Sequence, residues 1–345
     1  MAEKTEVLIV GAGPGGLACA TVLAQGGVRV TVIERKPGIG PKVCAGGITW
    51  SGLLRHVPRS LIEREFPVQH IITPRQQLAV AETDPIIATI NRQRLGQWMA
   101  DQARSAGARI ITACQAVSLG GNQATLLEKN SRRLTIAFDH LVGADGSNSL
   151  VRRYLGLPVA RMGLGLNCMI RERYPKMEWH LHTGFFGSGY GWIFPHQDTT
   201  SIGAYCNARQ MPATVLKQRL LTWASGRRLA LDPAAIRAGL VNYDYRGIRF
   251  ANQTWLIGDA AGLASGLTGE GIYPAIVSGQ TVAKMIIDPA HPGTGLQPLI
   301  KKHRLHSRVV ALAGSNIRLC TLFMEMMAGL LRLKVLDFHA LEMAD

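Results

Sequence analysis

Three glycine-bearing turns carry the residues whose types and spacing suit chemistry. The first is Gly11-Ala12-Gly13-Pro14-Gly15-Gly16, directly after the apolar run Val7 to Val10. In a strand–turn–helix unit, the first glycine permits a tight turn, Gly13 lets a pyrophosphate approach the backbone, and Gly16 lets the helix pack on the strand. Pro14 opens a helix whose N–H groups and positive dipole end then face the phosphates. Glu34 ends a second β-branched run, Val28 to Ile33, where a carboxylate can bind ribose hydroxyls. This unit predicts a dinucleotide site and leaves NAD and FAD open.

The second turn, Trp255-Leu256-Ile257-Gly258-Asp259-Ala260-Ala261-Gly262, narrows the choice. A buried strand would deliver Asp259 to the same cleft, beside a ribityl hydroxyl. Just beyond, Leu267-Thr268-Gly269-Glu270-Gly271-Ile272 opens another helix. Its free N–H groups suit the N1–C2=O edge of a flavin, which becomes negative on reduction. The third turn is Gly143-Ala144-Asp145-Gly146, followed by Ser147 and the pair Arg152-Arg153. Together the turns predict FAD. Metal ligation is not expected, because the six cysteines stand singly and His180 and His182 alternate on a strand without a third ligand. His196 is a further histidine without an assigned role.

These turns need a parallel sheet. Helical spacing is read at Pro14–Gln25, at Arg92 to Ala106, at 213–224 and at Gly271 to Met285. Residues 35–60, rich in Gly and Pro, read as a long loop. Strand-like runs are read within 66–90, at Arg109 to Thr112 and in a meander over 115–142. Further runs fall at Leu164–Ile170, His180–Phe186, Trp192–Pro195 and Ser201–Tyr205. From residue 296 the chain reads as helical. The expected fold class is α/β: a Rossmann-like FAD-binding domain with an inserted antiparallel-sheet substrate domain and a C-terminal helical segment. The expected discontinuous FAD domain takes residues 1–60, 91–158 and 250–290. The sheet domain takes 61–90 and 159–249, and the helical segment 291–345.

The chain has 345 residues, 38 glycines and a net charge of +15. Such charge suits anionic lipid head groups, diphosphates or an acidic protein carrier. Nucleic acid is not expected, since no DNA or RNA motif accompanies the charge. The N-terminus lacks a secretory pattern, and no stretch reaches the length of a membrane span, so a cytoplasmic location is expected. Leu319 to Leu331 is apolar apart from Glu325 and is flanked by Arg318, Arg332 and Lys334. It is too short to span a bilayer. It can lie peripherally on a membrane, cap an apolar tunnel or pack on the protein's own core.

As a set, the three turns resemble the FAD family that includes aromatic hydroxylases, flavin halogenases and geranylgeranyl reductases. Within it, Lys42-Val43-Cys44-Ala45-Gly46-Gly47 resembles the KxCxGG segment of the geranylgeranyl reductases. Tyr190-Gly191-Trp192-Ile193-Phe194-Pro195 resembles their YxWxFP segment. The chain departs from the common pattern at Gly266, where a proline is usual, and it is shorter than most of those reductases.

The resemblance implies a cofactor shell. Gly11, Gly13, Pro14, Gly15 and Gly16 would take the pyrophosphate, with Glu34 and Arg35 at the ribose. Arg92, with Arg94 as the alternative, would lie near the phosphates, and Val117 and the Asp145-Gly146 turn would touch the cofactor. Gly258 and Asp259 would hold the ribityl and pyrophosphate part. Cys44, Ala45, Gly46, Gly269, Gly271 and Ile272 would surround the ring. Cys44, Tyr190 and Trp192 are the candidate catalytic residues, on the substrate side of the flavin. Each has a plainer reading as a buried cysteine or sheet aromatic.

The activity implied is saturation of isoprenoid carbon–carbon double bonds by hydride transfer from reduced flavin N5. The external reductant would be NADPH or ferredoxin, and the proton source would be Tyr190, Glu270 or a bound water. The competing reading is an FAD monooxygenase or halogenase acting on an apolar small molecule. Lys36 and Lys42 are its only candidates for the halogenase lysine.

Overall fold

A computed structural model describes residues 3–129 and 131–344. Its centre is a parallel sheet. Glu3–Val10 is buried continuously from Val7 to Val10, as expected of a strand covered on both faces. It pairs in parallel with Val30–Ile33 on one side and Arg133–Gly143 on the other. Arg109–Ile111 and Thr254–Leu256 extend the sheet outward in the same sense. Two antiparallel strands, Cys114–Gly120 and Gln123–Glu128, form a meander on the outer half of Arg133–Gly143.

Helix Pro14–Gln25 starts on a proline, whose missing N–H costs nothing at that position. It packs directly on helix Ile272–Ile287. A Cβ on Gly279 would stand 2.3 Å from the Gly15 carbonyl oxygen, so the two backbones touch. This contact joins the first glycine turn to the helix opened by the last one.

The second sheet has seven strands. In spatial order they are Arg237–Asn242, Met162–Ile170, Thr200–Asn207, Tyr190–Pro195, Met177–His180, Val68–Ile72 and Gln77–Ala81. All pairs are antiparallel except Met177–His180 with Val68–Ile72. Side chains alternate across this sheet. Ile193 and Ile202 pack under helix Ala213–Gly226 with Leu216, Leu220 and Trp223. Trp192 and Phe194 point the other way, into a cluster with Cys320, Met324 and Ala328 of helix Ile317–Arg332. A small third sheet joins Gly47–Thr49, Ile87–Ile90 and Ile62–Phe66.

Two local expectations change. Within the expected loop over 35–60, Gly47–Thr49 forms a strand and Trp50–Leu53 a short helix. Their cause is tertiary: Gly47–Thr49 pairs with Ile87–Ile90, a partner that no local pattern reveals. The expected strand His180–Phe186 divides into strand Met177–His180 and a helical turn, Thr183–Phe186. The amides of Phe185 and Phe186 both donate to the His182 carbonyl, and Gly187 at φ +61° closes the turn. The C-terminal region is helical over Gln297–Ala313 and Ile317–Arg332, and Phe338–Leu341 adds a short 3-10 turn.

Candidate functional site

The three glycine turns meet at one cleft of about 850 Å³, which continues into the space between the seven-stranded sheet and the C-terminal helices. Gly11 adopts φ +108°, and a Cβ there would lie 2.4 Å from the Ala144 carbonyl oxygen, so the first and third turns are in contact. The Ile257 amide donates to the Gly143 carbonyl at 3.0 Å, which sets the second turn beside them. Gly16 stands behind the cleft rather than in it. Its Cβ would fall 2.0 Å from the Gly11 carbonyl oxygen, the close helix-on-strand packing expected for that position. Nothing lies within 4 Å of a Cβ on Gly13, which leaves that edge of the turn open.

Polar groups converge at the dinucleotide end. Glu34 accepts from the Ala12 amide at 3.0 Å and from the Lys36 amide at 2.9 Å, so its carboxylate lies against the first turn. Arg35 and Arg92 line the cleft. Among the described residues, Nε and Nη1 of Arg92 are buried without a hydrogen-bond partner, whereas Arg94 is exposed and reaches the Ser60 carbonyl at 3.5 Å. Asp259 is reached by Lys42 at 3.2 Å and by the Ser147 hydroxyl at 3.0 Å. Asp145 turns one carboxylate oxygen back onto the Leu150 and Val151 amides, at 2.6 and 3.3 Å, and its other oxygen is buried without a partner. Burial pushes the Asp145 carboxyl pKa up. The side chain of Val117 is 39% exposed and lies outside the cleft, which its strand meets through Cys114, Gln115 and Ala116 instead.

The Cys44–Gly47 segment crosses the middle of the cleft, pinned from the sheet. Asn167 donates to the Cys44 carbonyl at 3.0 Å, Ser201 donates to Asn167 at 2.7 Å, and the Trp192 indole donates to Ser201 at 2.9 Å. Trp192 and Cys44, far apart in sequence, are thus joined by one hydrogen-bonded chain. Nε2 of His196 contacts the Ala45 carbonyl at 3.0 Å, and its Nδ1 contacts Glu63 at 2.5 Å. Gly46 stays out of the cleft because His196 fills the space behind it, 2.4 Å from where a Cβ would be.

Beyond this segment the cleft is aromatic. Trp179 is its hub, with ring centroids 5.2 Å from Tyr190, 4.7 Å from Phe194 and 6.1 Å from Phe338. Tyr190 and Trp192 both line it, and the Tyr190 hydroxyl donates to the Thr268 carbonyl. Sequence reading missed Trp179, Asn167 and Ser201. Asn167 carried a signal, as a polar residue inside the apolar run Leu164–Ile170; Trp179 carried none, because its strand was placed from His180 onward.

One carboxyl stands out. Glu270 is flanked by Gly269, at φ +70°, and Gly271, whose Cβ would lie 3.0 Å from Asp259 Oδ1. It accepts from the Thr49 hydroxyl at 3.2 Å and the Met343 amide at 3.0 Å. Burial, aided by the neighbouring Glu342, pushes its pKa up to about 7. Burial also pushes the Tyr190 phenol up.

Comparison with known proteins agrees with this geometry. Residues 4–168 match the family model described as an FAD binding domain. A digeranylgeranylglycerophospholipid reductase of Methanosphaera stadtmanae is 28% identical over 82% of this chain and 77% of its own. A chloroplastic geranylgeranyl diphosphate reductase of Oryza sativa subsp. japonica is 26% identical over 85% of this chain and 68% of its own. Along most of its length the chain is thus similar to geranylgeranyl reductases, and over residues 4–168 to FAD binding domains. A solved geranylgeranyl bacteriochlorophyll reductase-like protein from Thermoplasma acidophilum has the same fold, with a TM-score of 0.81, 22% identity and coverage of 96% of this chain and 92% of its own. Flavin monooxygenases and halogenases also share the fold.

The residues present fit FAD. The two buried, unpartnered nitrogens of Arg92 lie where a phosphate would pair with them. The open face at Gly13 fits a pyrophosphate.

Proposed function

We propose that this protein saturates carbon–carbon double bonds in an isoprenoid or prenyl-lipid chain. The observation that carries the reading is the continuity of the dinucleotide cleft with the aromatic arm built by Trp179, Tyr190, Trp192, Phe194 and Phe338. When bound and reduced, FAD supplies the hydride. The rest of the chemistry belongs to the chain. An isolated alkene has no electron-withdrawing group to accept hydride directly, so proton transfer to one carbon leads and positive charge develops on the other. The faces of Trp179 and Tyr190 suit that charge, and the apolar walls exclude water. The chain Trp192–Ser201–Asn167 holds the Cys44 backbone, and with it the floor of the arm.

The reductant in this proposal is a nicotinamide nucleotide or a small iron–sulfur carrier, and the net charge of +15 favours an acidic carrier. The proposal also includes peripheral contact with a membrane surface. Among the described residues no helix is long and apolar enough to cross a membrane. Helix Ile317–Arg332 nevertheless presents Ile317, Leu319, Leu322 and Met326 to solvent beside Arg318 and Arg332.

The test is anaerobic. The dithionite-reduced protein is mixed with a polyprenyl diphosphate and, separately, a polyprenyl glycerophospholipid. The expected result is flavin reoxidation with products heavier by one H2 per saturated bond. Flavin that stays reduced with both lipids, and no saturated product by mass spectrometry, would rule the reading out.

A further inference from the structure

We propose that Glu270 is the acid that gives the proton to the alkene carbon, and that Glu342 and His339 return a proton to it from solvent. The inference rests on the reductase reading above and deepens it. Glu270 lines the cleft between Gly269 and Gly271, and these neighbours approach both ends of the site: a Cβ on Gly271 would lie 3.0 Å from Asp259, and one on Gly269 would lie 3.5 Å from the Tyr190 hydroxyl. Glu342 lines the same cleft. It accepts from the Ser51 hydroxyl at 2.7 Å, and its other oxygen meets His339 Nδ1 at 3.1 Å. His339 is 47% exposed, so the path opens to water. The segment that carries Glu342 also holds Glu270, through the Met343 amide.

The other candidates are poorer acids. The Tyr190 hydroxyl is already committed to the Thr268 carbonyl, and its burial disfavours the phenolate that proton donation would leave. The ammonium of Lys42 is paired with Asp259. Glu270 faces Glu342 and Lys302 as its charged neighbours, with Thr49 and Met343 as donors. A carboxyl with a pKa of about 7 is half protonated at neutral pH, the condition under which a general acid is most effective.

The step balances. The alkene π pair forms the first C–H bond with the Glu270 proton, which leaves a carboxylate and positive charge on the neighbouring carbon. That carbon then receives the hydride supplied by the reduced flavin. Glu342 returns a proton to that carboxylate, and His339 restores Glu342 from solvent. The two electrons come from the nicotinamide or iron–sulfur reductant.

The experiment pairs infrared titration of the flavin-free protein with single-turnover kinetics. In the wild type, the carbonyl stretch of a protonated carboxyl should titrate near neutrality and should vanish in Glu270→Gln. In Glu342→Gln, that titration should move to lower pH, because a negative neighbour has been removed. Saturation of a polyprenyl substrate by Glu270→Gln should slow by at least about 100-fold. A neutral-range band that persists in Glu270→Gln, or a variant that turns over like the wild type, would overturn the assignment. A wild type that reduces no polyprenyl substrate overturns the function proposed above instead, and the infrared band still decides whether Glu270 holds a proton at neutral pH.

Discussion

At the scale of single residues, Glu270 links the site to stability. Its folded pKa is raised above the ordinary carboxylate value, so the folded state holds a proton that the unfolded chain has released. Stability is therefore greatest below the unfolded pKa and falls as pH rises through about 7. At about 1.4 kcal/mol per pKa unit, the loss is on the order of 3 kcal/mol. Glu270→Gln should flatten this fall, and chemical denaturation at pH 5 and pH 8 would show it; an equal pH dependence in both proteins would refute it. Arg92 gives a second prediction. Its buried, unpartnered nitrogens await an anion, and a hydrogen bond to a charged group is worth about 1.5–3 kcal/mol. Arg92→Met should weaken FAD binding by about 10- to 100-fold in a titration of the flavin-free protein. The glycine turns were legible from sequence because their geometry is local. The Trp192–Ser201–Asn167 chain was not, because it depends on the register between neighbouring strands, which only the folded sheet fixes.

Elements tell the same story at larger spacing. Apolar runs marked the buried parallel strands well, since a strand covered on both faces is apolar throughout. They failed for Gly47–Thr49, where glycine-rich composition concealed a strand made by its partner. They failed again near Thr183–Phe186, where the alternation of His180 and His182 continues into a helical turn. The contact between helices Pro14–Gln25 and Ile272–Ile287 is the most sensitive one. Gly279→Ala would drive a methyl into the Gly15 backbone, 2.3 Å away, at a cost of about 1–3 kcal/mol. Gly226→Ala, with nothing within 4 Å, should be neutral or stabilise by up to about 1 kcal/mol. Melting temperatures of the two variants would separate a packing requirement from mere dislike of alanine.

On the scale of the whole molecule, the C-terminal helix shows how far periodicity reaches. Sequence identified an apolar segment there and left three fates open. The structure places Cys320, Met324, Ala328 and Leu331 on the protein's own core, and leaves Leu319 and Leu322 exposed, at 56% and 65%. One face packs inward, and the other remains available to the lipid surface proposed above. Sedimentation with anionic vesicles should therefore carry the protein down at low salt, and less so as salt rises. Leu319→Glu/Leu322→Glu should weaken that association while preserving the melting temperature. Equal binding by the double variant would place the contact elsewhere.

The joined backbones of Gly15 and Gly279 also have a temporal consequence. The cleft does not exist until segments from distant parts of the chain have met, and such long-range closure makes folding slow. A fragment limited to the matched residues 4–168 would lack the Asp259 turn and the Ile272–Ile287 helix, both of which line the cleft. The flavin then acts as a late staple. It should bind no early intermediate, and at a free concentration of about 100 times its dissociation constant it should hold the finished protein together by roughly 2.7 kcal/mol.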